Sequence, residues 1–112
     1  MRDAKLYLDD ILVAIKRIDK YIKGLSLERL KKSDLVMDAI VRNLEIIGEA
    51  AKHIPTYIKE EYSDVEWKKI AGLRDVLAQE YFGVDTEVLW DIVKGKLPVL
   101  KEKIESILKK RK

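Results

Sequence analysis

Apolar residues return every three or four positions through most of this chain, in blocks separated by glycine, proline and serine. In the first block Leu8, Ile11, Leu12, Ile15, Ile18 and Ile22 share one side of a helical period, which predicts a helix from residue 3 to about residue 23. Gly24 is a plausible stop, because glycine ends helices in a conformation that a Cβ disfavours. Ser26 can cap a short turn over residues 27–30. Ser33 then caps a second long helix, with Asp34 placing negative charge at its positive end.

The second helix is predicted to run to about His53, just before Pro55. Val36, Ile40, Leu44, Ile47, Ala51 and Ile54 form its main apolar face, and Val41, Ile46 and Ala50 widen it. So wide a face implies more than one neighbour. Gly48 in the middle costs roughly 1 kcal/mol against alanine, which a close helix crossing would offset. Asp38, Arg42, Glu45 and Glu49 follow one another down one side at helical spacing. They read as a salt-bridged stripe facing water, with a polar wall beside the stretch at residues 74–85 as the alternative.

Pro55 begins a brief helix through Tyr62. Ser63-Asp64-Val65-Glu66 has the capping-box form, serine with glutamate three residues on, and predicts a helix carrying Val65, Ile70, Leu73, Leu77 and Tyr81. Phe82-Gly83 ends it. Asp85 or Thr86 caps the next, with Val88, Leu89, Ile92 and Val93 inward and Trp90 to one side. Lys94-Gly95 is expected to break that helix, and Pro98 to open a last one striped by Leu97, Leu100, Ile104, Ile107 and Leu108. Nothing reads as a strand. The expectation is an all-α, up-and-down bundle of four main helices with short extras.

At 112 residues the chain is expected to form a single domain over residues 1–112, with a real core but small enough to favour a partner. Hydrophobic residues make up 47% and charged residues 38%, a globular rather than a disordered balance. Charged residues are abundant, lysine above all, while Asn43 and Gln79 are the sole residues of their types; that bias is associated with heat-tolerant proteins. With no cysteine, a disulfide framework, a thiolate metal site and a thiol nucleophile are excluded. No apolar run approaches the ~20 residues that span a bilayer, and Met1-Arg2-Asp3 does not begin a signal peptide. A cytoplasmic location without membrane contact is expected. The net charge of +3 owes much to Lys109-Lys110-Arg111-Lys112, which reads as a solvated basic tail rather than as a demand for nucleic acid. No cofactor is implied. The acids sit at salt-bridge spacing and His53, the sole histidine, has no obvious companion ligand.

Candidate chemistry gathers in Arg74-Asp75-Val76-Leu77-Ala78-Gln79-Glu80-Tyr81-Phe82-Gly83-Val84-Asp85. Arg74 offers a permanently charged fork suited to phosphate, and Tyr81 a hydroxyl. Seven residues apart, they fall within ~20° on a helix, whereas Gln79 lies ~140° round from Arg74. All three converge only if the helix ends near Gln79 or if a second copy faces the first, which favours a symmetric dimer.

This stretch resembles the Arg-x(4–6)-His-x-Tyr motif of HEPN domains, and in particular the HepT family, with Gln79 where the family has histidine. Arg42-Asn43-Leu44-Glu45-Ile46-Ile47-Gly48-Glu49-Ala50-Ala51 is similar to a second recurrent stretch of that family. The resemblance extends from Asp3 to Leu108. It implies a HEPN-like bundle and a homodimeric, metal-independent ribonuclease toxin, with RNA as substrate and a minimal nucleotidyltransferase as antitoxin. It also implies that Arg74 stabilises the phosphate, that the residue at 79 moves the proton, and that Tyr81 is the acceptor of an AMP group from the partner.

Gln79 changes that expectation. A proton shuttle at neutral pH needs a group that titrates there; imidazole does and an amide does not. Cleavage is therefore expected to be weak or absent. Either the lineage keeps binding without cutting, or the residue was changed to protect a host from an active toxin. Glu80 or His53 as a substitute base is a lesser alternative, as is Tyr81 packed structurally beside Phe82 and Leu77. Against the nuclease stands a non-catalytic dimeric module binding RNA, nucleotide or protein, and beyond it a purely structural bundle.

Overall fold

The computed structural model describes residues 3–79 and 86–111, with the side chains at 74–76, 78 and 79 outside that description. All regular structure among the described residues is helical: α1 (Ala4–Ile22), α2 (Leu27–Lys31), α3 (Asp34–Lys52), α4 (Thr56–Glu61), α5 (Trp67–Gln79), α6 (Thr86–Asp91), a π-helical turn (Ile92–Lys96) and α7 (Leu97–Lys110). The all-α expectation holds, with α1, α3, α5 and α7 as the long helices. No helix among the described residues is long and apolar enough to cross a membrane.

The helices begin where local chemistry starts them. The Asp3 carboxylate accepts from the Lys5 N–H at 3.0 Å, Ser26 Oγ from Arg29 at 3.2 Å and Ser33 Oγ from Val36 at 3.2 Å. Each satisfies a donor that a helix N-terminus leaves unpaired. Gly24 sits at φ +73° and the Leu25 N–H closes back onto the Ile22 carbonyl at 2.8 Å, so the first helix stops at the predicted residue.

Packing is organised by α3, which lies along both α1 and α5, while α7 lies along α1. This is why its apolar face is so wide. Leu8, Ile11, Ile15 and Ile18 of α1 and Ile40, Leu44 and Ile47 of α3 are at most 1% exposed. Burying one such side chain contributes about 1.5–3 kcal/mol, so the α1–α3 pair forms the centre of the core.

Two expected boundaries are wrong. The capping box at residues 63–66 does not open α5; that helix starts at Trp67, with the Glu66 carbonyl accepting from Ile70 at 3.0 Å. The intervening residues turn instead. The Trp67 indole donates to the Tyr62 carbonyl at 3.0 Å, Val65 is buried, and the Glu66 carboxylate pairs with Lys69 at 2.8 Å rather than reaching back to a cap.

Nor does Lys94-Gly95 break the chain: α6, the π turn and α7 follow one another without a gap, with helical backbone at Asp91, Lys96 and Leu97. Pro98 has no N–H for the Lys94 carbonyl, and its ring would crowd that group in a regular helix. A wider turn just ahead of it, closed by the Leu97 N–H on the Ile92 carbonyl, accommodates both. The cap at Asp85 and the stop at Phe82-Gly83 lie outside the described residues.

Two glycines should therefore respond with opposite signs. A Cβ meets nothing within 4 Å at Gly24 or at Gly95, so backbone conformation alone decides. Gly24→Ala is expected to lower stability by about 1–2 kcal/mol through the left-handed conformation. Gly95→Ala, within a helical turn, should raise it by about 0.5–1 kcal/mol. Urea unfolding of the two variants checks both.

Candidate functional site

The polar side of α3 faces water and also borders a cleft. The pairing of α1 and α3 brings the first turn of α1 against the end of α3. A cleft of about 500 Å³ opens there, lined by Tyr7 and Asp10 from α1 and by Arg42, Glu45, Ile46, Glu49, Ala50 and His53 from α3. Arg42, Glu45, Glu49 and His53 recur at three- and four-residue spacing, so one helix face presents all of them. Asp38, Arg42 and His53 are exposed and Glu49 pairs with His53 one turn on, as a water-facing stripe would have it; the motif side chains beside which a polar wall was the alternative lie outside the described residues.

His53 is the C-cap of α3, its backbone N–H closing onto the Ala50 and Ala51 carbonyls. That helix-end position is the one expected for it. Its ring also stacks on Tyr7, with centroids 5.2 Å apart and planes 17° from parallel, and Nε2 lies 3.4 Å from Glu49 Oε1. A carboxylate beside one ring nitrogen helps to orient an imidazole. The cleft thus holds an acid–base pair beside a guanidinium and a phenol. Asp10, Glu45 and Glu49 outnumber Arg42, so these residues do not by themselves make a cradle for phosphate. Among the described residues no group of three or more His, Asp or Glu converges as a metal site.

Behind this stripe, Asn43 is buried at 5% exposure. Its amide donates to the Ala39 carbonyl at 2.9 Å, and its Oδ1 has no hydrogen-bond partner. Buried polar atoms are usually hydrogen-bonded, so the bare Oδ1 sets Asn43 apart from the apolar residues around it.

Arg74 and Gln79 belong to α5, the helix that packs along α3. Their side chains, together with the whole of Tyr81 and Glu80, lie outside the described residues, as does any packing of Tyr81 beside Phe82. Tyr7 and Asp10 were missed from sequence. Their role depends on which helix lies opposite, and no local pattern carries that.

Comparison with known proteins bears on this arrangement. The profile of the family described as "HepT-like: Ribonuclease HepT-like" matches residues 11–107. "Putative RNase TTE0752" of Caldanaerobacter subterraneus subsp. tengcongensis is 40% identical over 112 residues, covering 100% of both chains. "Probable ribonuclease HepT" of Thermococcus cleftensis is 41% identical over 108 residues, covering 96% of this chain and 98% of its own. "Gamma-glutamylcyclotransferase and putative RNase MJ0434" of Methanocaldococcus jannaschii is 41% identical over 107 residues; they cover 96% of this chain but 48% of that longer protein. No solved structure matches the chain significantly. The family match spans α1 to α7 and includes both sequence stretches singled out above, and the chain belongs to the HepT-like ribonuclease family.

Proposed function

We propose that this chain is a HepT-like toxin component, a metal-independent endoribonuclease by ancestry whose cleavage step is impaired at position 79. The carrying observation is Gln79 itself, in the place of the motif histidine five residues after Arg74 on α5. Arg74 binds the substrate phosphate and stabilises the charge that builds on it. Tyr81 is the residue a minimal nucleotidyltransferase antitoxin would modify with AMP, setting a bulky anion where substrate phosphate would lie.

Helix geometry supports a homodimer. Arg74 and Gln79 occupy positions ~140° apart round the α5 axis, so a second copy is the simplest way for both to serve one scissile bond. The names of the relatives support RNA as the substrate.

The test is RNA incubated in EDTA with the parent chain and with Gln79→His, alongside growth of a bacterial host expressing each. Cleavage and growth arrest by the histidine chain alone are expected. If both chains fold and dimerise yet leave RNA intact, the non-catalytic binding module takes the nuclease's place. Equal cleavage by both would refute the argument from proton transfer.

A further inference from the structure

Positive charge in this chain is concentrated in one stretch. From residue 16 to residue 32 there are seven lysines and arginines against two acids, Asp19 and Glu28, a net of +5 where the whole chain carries +3. Lys16, Arg17, Lys20 and Lys23 belong to the end of α1, and Arg29, Lys31 and Lys32 to α2 and its C-cap. All seven are exposed. Among the described residues only Lys31 of the seven enters an ion pair, 3.4 Å from Glu87, while Asp19 is turned to Lys101 of α7, also at 3.4 Å. Unpaired like charge gathered in this way repels itself and attracts polyanions.

The fold sets this basic end beside the helix that carries the motif. α2 packs against α6, and Lys31 reaches Glu87 in the first turn of α6. α6 begins at Thr86, seven residues after α5 ends at Gln79, so at most ~25 Å of extended chain separates the two helix ends.

We propose that the end of α1 together with α2 is a binding tract for single-stranded RNA, its cations on successive phosphates and Tyr21 stacked on a base, holding substrate to one side of the scissile bond. The proposal rests on RNA being the substrate, as inferred above.

The dimensions suit a strand. Lys16, Lys20 and Lys23 recur at helical spacing on one side of α1 and span ~10 Å, which at one charge per ~3.4 Å of strand faces about three phosphates. Two features favour nucleic acid over an acidic protein. Tyr21, one turn after Arg17, is 37% exposed among the cations, and a flat ring within a basic tract is what unpaired bases stack on. In addition, no large aliphatic side chain in the tract is exposed, whereas a protein interface is anchored by apolar residues at its centre.

Fluorescence anisotropy of a labelled single-stranded RNA of about 15 nucleotides, titrated with the parent chain over a range of salt, tests this. Changing Lys16, Lys20 and Lys23 together to glutamine should weaken binding at least about tenfold in ~0.1 M salt and lower the slope of log K against log salt by about 2. Lys103, Lys109 and Lys110, changed to glutamine together on α7, remove the same charge elsewhere and should alter affinity less than about twofold. Tyr21→Leu should weaken binding about fivefold or more with the salt slope unchanged, since stacking releases no counterions. All three chains should keep the parent's thermal melt. Absence of saturable RNA binding, equal losses from the two lysine triples, or a slope indifferent to the α1 triple would overturn the proposal. So would a glutamate-rich peptide that binds the parent as tightly as RNA does, for the tract would then suit an acidic protein.

Cleavage separates this proposal from the one it rests on. In the Gln79→His chain the α1 triple should raise KM with kcat little changed. An unchanged KM would sink the tract alone. RNA that binds at the tract but is never cut would sink the nuclease and leave the tract standing.

Discussion

Gln79→His is expected to raise RNA cleavage by about 10²–10⁴-fold, the usual worth of a positioned general acid or base. The substitution changes one property above all, the ability to hold and release a proton near neutral pH. The variant's rate should therefore follow titration of the new imidazole, ordinarily near pH ~6.5, whereas the parent's residual rate should show no such limb. Adding Arg74→Ala to the variant should remove the gain, because phosphate charge would then go uncompensated in the transition state. A gain that survives Arg74→Ala, or has no pH dependence in that region, would mean that the histidine acts otherwise than as a proton carrier. Single-turnover cleavage measured across pH separates these outcomes.

Ile47→Ala should be strongly destabilising. Ile47 is 0% exposed on α3, the helix that serves as common wall for α1 and α5. A fully buried site relaxes only in part into the space of the missing atoms, so the loss should be about 2–5 kcal/mol. That is a large part of the ~5–15 kcal/mol that holds a typical domain together. Leu35→Ala is the control: Leu35 is 82% exposed, and such surface changes usually stay within ~0.5 kcal/mol. The urea midpoint should move for the first variant and hardly for the second, with the slope unchanged in both.

What could be read from sequence follows the range of the forces involved. Helices α1 and α3 were legible because a 3.6-residue stripe, a capping serine and a glycine stop are local signals. The start of α5 was not, since the turn at residues 62–66 is held by the Trp67 indole on the Tyr62 carbonyl and by burial of Val65. A tertiary arrangement there overrides a sound local cap. The supposed break at Lys94-Gly95 failed for a related reason. Leu89, Val93, Leu97, Leu100 and Ile104 are all buried, and keeping them on one side favours continuing the helix over ending it.

The candidate site divides in the same way. That Arg42, Glu45 and Glu49 share one face of α3 could be seen from their spacing, whereas the Tyr7–His53 stack is a contact between residues 46 positions apart. The roles given to Arg74, Gln79 and Tyr81 came from the family's pattern, and spacing alone supplied only the argument for a dimer.

The π-helical turn at Ile92–Lys96 also bears on how this family can tolerate changes of length. A wide turn is one extra residue accommodated as a bulge, so the helices on either side keep their buried faces in phase. Deleting Gly95 would bring the apolar positions to spacings of four, three and three, which an uninterrupted α-helix also satisfies. Chains one residue shorter at this point can therefore share the same core. Insertions and deletions within α7 itself would rotate every following side chain by ~100° and should be selected against.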